Sequence, residues 1–182
     1  MTFKKGRRFG SLWEDTKSVI EEISSWNTDI TATSESDFEQ SLSPLLKRME
    51  NKGEIESPVI TQKHRDRNVI NYRFFGKGHR PDMALGEEGT AIELKFLDGN
   101  LNGAKEVIGQ SHIYRLQYKF CILVLVVSEN NKDLYTTLDN GGEPQVNALF
   151  QHLAENNNVF TLIKPAFATD NGASKAITFL DP

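Results

Sequence analysis

Cysteine is the scarcest chemistry in this sequence. Cys121 is the only one, so no disulfide can close within the chain, and a thiol inside an apolar run reads as a small buried residue. The four histidines show no H-x-x-x-H or similar pairing, which leaves a histidine zinc site without its ligands. Long apolar runs are missing as well. The longest, Phe120 to Val127, suits a buried strand and falls far short of the roughly 20 residues that cross a bilayer. No membrane partner is expected. Met1 to Arg8 is basic, but no apolar segment follows it, so the expectation is a cytoplasmic protein without a secretory signal. Nor is there a surplus of positive charge: 21 Lys and Arg stand against 25 Asp and Glu, for a net charge of −4. Dedicated nucleic-acid binders are usually basic, so total charge argues mildly against that class.

What is present points to one globular domain over residues 1–182. Hydrophobic residues make up 38% of the chain, enough for a core at this length. Positive charge is concentrated where it is found. Lys63, Arg65, Arg67, Arg73, Lys77 and Arg80 stand against one acid, Asp66, with His64 and His79 among them. Such a stretch can neutralise phosphates; it can also be a strand with solvated basic faces.

Periodicity divides the chain. Leu12, Val19, Ile20 and Ile23 give residues 11–26 helical spacing, and the polar Asn27 to Ser36 reads as a loop. Phe38, Leu42, Leu45, Leu46 and Met49 predict a second helix over 37–51, in which Pro44 either kinks the helix or starts a shorter one after Ser43. Strands are predicted at Val69–Phe75, Asp82–Leu85 and Thr90–Leu97, a helix over 103–119, and a fully buried strand at Phe120–Ser128. Residues 129–142 read as a polar loop, Pro144–Glu155 as a helix, and Val159–Ile163 and Ala176–Leu180 as late strands. This order predicts an α/β fold, with a mixed sheet flanked by helices.

The chemistry gathers in one hairpin. With a turn centred between Glu87 and Glu88, Asp82 faces Glu93 and Arg80 faces Lys95, and a four-residue Gly86–Gly89 loop keeps that register. Arg80, Asp82, Ala84, Ala91, Glu93 and Lys95 then share one face; Met83, Leu85, Ile92, Leu94 and Phe96 share the core face. Two carboxylates about 5 Å apart repel each other, and a divalent cation is the natural offset. Lys95 lies on the same face, where an ammonium can hold an attacking water or stabilise charge on a phosphorane.

Arg80-Pro81-Asp82 followed by Glu93-Leu94-Lys95 reads P-D-x10-E-x-K and resembles the PD-(D/E)XK nuclease superfamily. The helix after the hairpin carries Gln110-Ser111-His112-Ile113-Tyr114, which looks like the Q-x-x-x-Y element of RecB-like nucleases, and Gly78 stands before the acidic strand as in that group. The resemblance covers about residues 36–128. It leaves 1–35 as an N-terminal extension and 129–182 as the C-terminal completion of the fold.

It implies a restriction-endonuclease-like α-β-β-β-α-β core. It also implies Mg²⁺ or Mn²⁺ held by Asp82, Glu93 and the Leu94 carbonyl, with Lys95 catalytic. With one cysteine, the branch that carries an iron–sulfur cluster is excluded. The family often has another acid on the preceding helix. Glu39 is the candidate, and it fits equally a capping box with Ser36. Gln110 and Tyr114, i and i+4 on one helix face, would orient the lysine or touch nucleic acid, or else simply pack and solvate. Arg80, Lys77 and Arg73 are the expected phosphate contacts, on DNA in preference to RNA. Double-strand cleavage at this size would call for a homodimer or a larger complex. Two rivals remain: an inactive nuclease fold that binds nucleic acid or protein, and a salt-bridge ladder among Arg80, Asp82, Glu93 and Lys95.

Overall fold

The computed structural model of the chain describes residues 6–26, 33–62, 71–98, 102–169 and 175–179. The expectations placed on Lys63, His64, Arg65, Asp66 and Arg67 lie outside these residues. The elements in chain order are α1 (Ser11–Ser25), α2 (Glu35–Asn51), β1 (Val59–Thr61), β2 (Tyr72–Phe74), β3 (Lys77–His79), β4 (Met83–Leu85), β5 (Thr90–Leu97), α3 (Asn102–Tyr114), β6 (Phe120–Val127), α4 (Lys132–Asp139), α5 (Pro144–Asn157), β7 (Val159–Pro165) and β8 (Ile177–Thr178). Among the described residues no helix is long and apolar enough to cross a membrane.

Helix α2 runs unbroken through Pro44. The hydrogen bond that proline cannot donate would reach Gln40, on the exposed side, while Phe38, Leu42, Leu45, Leu46 and Met49 are buried on the other. Packing of that stripe outweighs the missing bond. The helix starts two residues earlier than its spacing predicts. Ser34 is the N-cap and accepts from the Asp37 amide at 3.2 Å, while the Asp37 carboxylate accepts from the Thr33 amide (3.2 Å) and hydroxyl (2.9 Å). The capping box expected of Ser36 and Glu39 is therefore built two residues upstream, and Glu39 is not part of it.

One six-stranded mixed sheet has the order β1-β4-β5-β6-β7-β8. Strands β1, β4 and β5 form an antiparallel meander; β5, β6 and β7 are parallel; β8 returns antiparallel. The first strand of the sheet is Val59–Thr61, not the Val69–Phe75 that β-propensity suggests. Tyr72–Phe74 instead pairs with Lys77–His79 in a separate two-stranded ribbon. The stretch 129–142, expected as a loop, contains a single 3₁₀ turn and α4, which buries Tyr135 and Leu138. An eight-residue helix with two buried anchors carries too little periodicity to register in sequence.

The sheet has a core on each face. Val19, Ile20 and Ile23 of α1 and the α2 stripe cover Met83, Leu85, Ile92 and Leu94. Val107 and Tyr114 of α3, with side chains from α4 and α5, cover Ala84, Ala91, Leu97 and Leu123. The result is an α/β fold in three layers. The face assigned to chemistry is thus itself a core face over most of its area, and it opens only near Asp82, Glu93 and Lys95.

Candidate active site

The opening begins where β4 stops. Met83 pairs with Ile92, Ala84 with Ala91 and Leu85 with Thr90, the register expected from the hairpin, around a loop in which Gly86 has φ 66°. Beyond Ile92 the β4 edge of β5 has no strand partner, so the Leu94 and Phe96 amides on that edge need other acceptors. Asp82 Oδ2 takes the Leu94 amide at 2.8 Å, and Glu35 Oε2 takes the Phe96 amide at 3.4 Å. Two carboxylates thereby stand in for a strand. A residue's N–H and C=O point to the same edge of a strand, so the Leu94 carbonyl is turned toward Asp82 as well.

Glu93, across from Asp82, is 8% exposed, and its Oε2 is buried without a hydrogen-bond partner. Burial, and then the charge of Asp82, pushes its carboxyl up to about 8. Asp82 is pushed up to about 6, first by burial and further by the nearby Glu35 and Glu39, against the lowering effect of the Leu94 amide. Both groups resist carrying charge without a cation beside them. Lys95 Nζ lies 3.7 Å from Glu35 Oε2. Its stem rests on α3, where a Cβ on Gly103 would stand 3.1 Å from Lys95 Cε and 3.2 Å from its Cγ.

Tyr114 is 2% exposed, and its hydroxyl donates to the Arg80 carbonyl at 3.2 Å and lies within hydrogen-bonding reach of Glu93. Helix α3 packs Tyr114, expected as a nucleic-acid contact, into the core. Gln110 lies one turn earlier, half-buried, with a buried and unpartnered Oε1, so it is not merely a solvated neighbour. His112, on the same helix, is half-buried, and burial lowers its pKa.

Arg80 lies outside the β4–β5 ladder. Its carbonyl accepts from Tyr114 and from Gln62 Nε2 (3.1 Å), and its side chain is exposed. Arg73 and Lys77 are exposed on the ribbon. The expected facing of Arg80 and Lys95 is replaced by the Lys95–Glu35 ion pair, so the salt-bridge ladder does not form as drawn.

Sequence reasoning passed over Glu35, Gln62 and Gly103. Glu35 had a signal, because residues 35, 39, 42 and 46 lie on one helical stripe that turns from acidic to apolar. Gln62 and Gly103 had none, since each acts only through contacts between distant segments.

Among the described residues no group of three or more His, Cys, Asp and Glu side chains converges tightly enough to hold a metal. The donors at the opening are Asp82, Glu93 and the Leu94 carbonyl. That set fits Mg²⁺, which binds one or two carboxylates and keeps several waters. Comparison of the chain with protein-family models, with curated proteins and with solved structures finds no match.

Proposed function

We propose that the protein is a divalent-metal-dependent nuclease of the PD-(D/E)XK type, related to the RecB-like branch without an iron–sulfur cluster, acting on DNA in preference to RNA. The observation that carries the reading is the convergence of Asp82, Glu93 and Lys95 where β4 and β5 part. Support comes from the order α2-β1-β4-β5-α3-β6, with the β2–β3 ribbon inserted between β1 and β4 and with β6 parallel to β5, which is compatible with the α-β-β-β-α-β restriction-endonuclease-like pattern implied by the motif.

Asp82, Glu93 and the Leu94 carbonyl would hold Mg²⁺ or Mn²⁺, with Glu39 at the rim. The bound ion would lower the pKa of a water and neutralise the scissile phosphate. Lys95 would orient that water or stabilise charge on the phosphorane, its ammonium lying 3.7 Å from the Glu35 carboxylate. Gln110, one turn before Tyr114 on α3 and with its side-chain oxygen buried and unpartnered, would help to orient the lysine. Arg80, Lys77 and Arg73 would meet the backbone phosphates. A homodimer or a larger complex would supply the second site needed to cut both strands.

That no three acids converge tightly among the described residues favours a second reading, a catalytically inactive nuclease fold that binds nucleic acid or a protein. Linear, circular and single-stranded DNA and RNA, each incubated with Mg²⁺, with Mn²⁺ and with EDTA, decide between the two. Metal-dependent cleavage is expected, with Lys95→Ala losing about a hundredfold or more in rate while still binding Mn²⁺. Near-normal turnover by Lys95→Ala, or no cleavage in any metal, would sink the nuclease reading.

A further inference from the structure

The ribbon of β2 and β3 stands apart from the main sheet and leans on α3. Its two-residue turn is Phe75-Gly76, with φ 49° and 76°, both left-handed. Such turns favour Asn-Gly, because a bulky side chain at the first position strains the backbone. Phe75 occupies that position with its side chain 93% exposed. Strain and exposure both work against folding; among the described residues the one ring beside Phe75 is that of Phe74, edge-on at 4.6 Å.

The ribbon is chemically uniform. Residues 71–80 contain Arg73, Lys77, His79 and Arg80 and no acid, in a chain of net charge −4. Phe74 faces Lys77 and Tyr72 faces His79, so one face alternates rings with cationic or titratable groups. The base of the ribbon is fixed to the candidate active site: Arg80 follows β3 directly, its carbonyl is held by Tyr114 and Gln62, and Asp82 comes two residues later. Three residues of strand carry the tip roughly 10 Å from that base.

We propose that this ribbon selects unpaired nucleic acid: Phe75 stacks on an exposed base while Arg73 and Lys77 neutralise the flanking phosphates. A phenyl ring has no hydrogen-bonding atom, so it reads base faces and not base edges, and an intact duplex hides those faces. Single strands, frayed ends and forks offer them. The inference rests on the nuclease reading for its position beside the site, but not for its binding chemistry.

Fluorescence anisotropy in EDTA, with a labelled single strand, a forked duplex and a blunt duplex, tests it. Wild type is expected to bind the single strand and the fork more tightly than the blunt duplex. Phe75→Gly, which suits the turn and should melt no lower, is expected to lose about tenfold on the single strand and the fork. Phe75→Trp should keep the affinity and show a bound-state quenching of emission that wild type lacks. Wild-type affinity in Phe75→Gly, preference for the blunt duplex, or no binding to any strand overturns the proposal. So does a wild-type dimer in sedimentation that Phe75→Gly abolishes, which would assign the ring to a second copy. Cleavage in Mn²⁺ by the same preparations separates the two readings. Cleavage with no Phe75 effect leaves the nuclease and removes the ribbon; selective Phe75-dependent binding without cleavage does the reverse.

Discussion

Glu93 sits in a core face because β5 continues past its antiparallel partner, and a carboxylate in that position is held chiefly by what surrounds it. The same dependence makes single side chains separable by experiment. Gly103→Ala adds a methyl within 3.1–3.2 Å of the Lys95 stem, so the stem must give by a few tenths of an ångström, while the alanine restricts the unfolded chain at a first-turn helix position. Cleavage is expected to fall with the melting temperature unchanged or raised. Equal loss of both would assign Gly103 to packing alone. Glu39→Gln removes a charge that acts on Asp82, and because Ser34 and Asp37 cap α2, it leaves the cap intact. Cleavage should drop strongly with little change in melting, and unaltered cleavage would take Glu39 out of the site. The placing of Asp82 across from Glu93 was readable from the spacing of the hairpin, whereas Glu39 came into consideration only through the family resemblance. Glu35 shares a helical stripe with Glu39 in the sequence, but its bond to the Phe96 amide is set by tertiary structure.

At the scale of elements, the hairpin was the most legible part. Alternation over Asp82–Leu85 and Thr90–Leu97, with glycines at both ends of the loop, permits one register that buries Met83, Leu85, Ile92 and Leu94 together, and that register is observed. Helix α2 was legible in its stripe but not across Pro44, since local rules forbid what the packing of Leu42, Leu45 and Leu46 enforces. Pro44→Ala restores the absent hydrogen bond at an exposed site. Urea denaturation should show a gain of about 1–3 kcal/mol; a loss would mean that the proline's stiffening of the unfolded chain dominates. The first sheet strand was misplaced because Val59–Thr61 is short, while Val69–Phe75 has the stronger β-propensity. A segment with that propensity can satisfy its backbone in a local ribbon without joining the sheet.

For the molecule as a whole, the raised carboxyls of Asp82 and Glu93 couple stability to pH and to metal. Their folded pKa values lie above the unfolded ones, so between about pH 4 and pH 8 the folded state holds more protons, and stability falls as pH rises. His112, with a lowered pKa, works in the opposite direction, so the informative comparison is with Asp82→Asn. In EDTA, wild type should lose melting temperature from pH 5 to pH 7.5 and Asp82→Asn should lose less. Mn²⁺ should restore wild type by about 2.7 kcal/mol at a hundredfold excess over Kd, and more at higher pH, while helping the variant little. A variant that melts well below wild type in EDTA, with no metal shift in wild type, would refute the metal site.

The sequence by itself determined the α/β class, the hairpin register and the residue types at the site, because alternation and spacing are local properties. Tertiary structure alone decided the rest. It decided where β4 ends and so where β5 loses its partner, which orphaned amides Asp82 and Glu35 must satisfy, and that Tyr114 is buried while Phe75 is exposed. Those outcomes depend on which distant segments occupy the same space, and no local pattern encodes that.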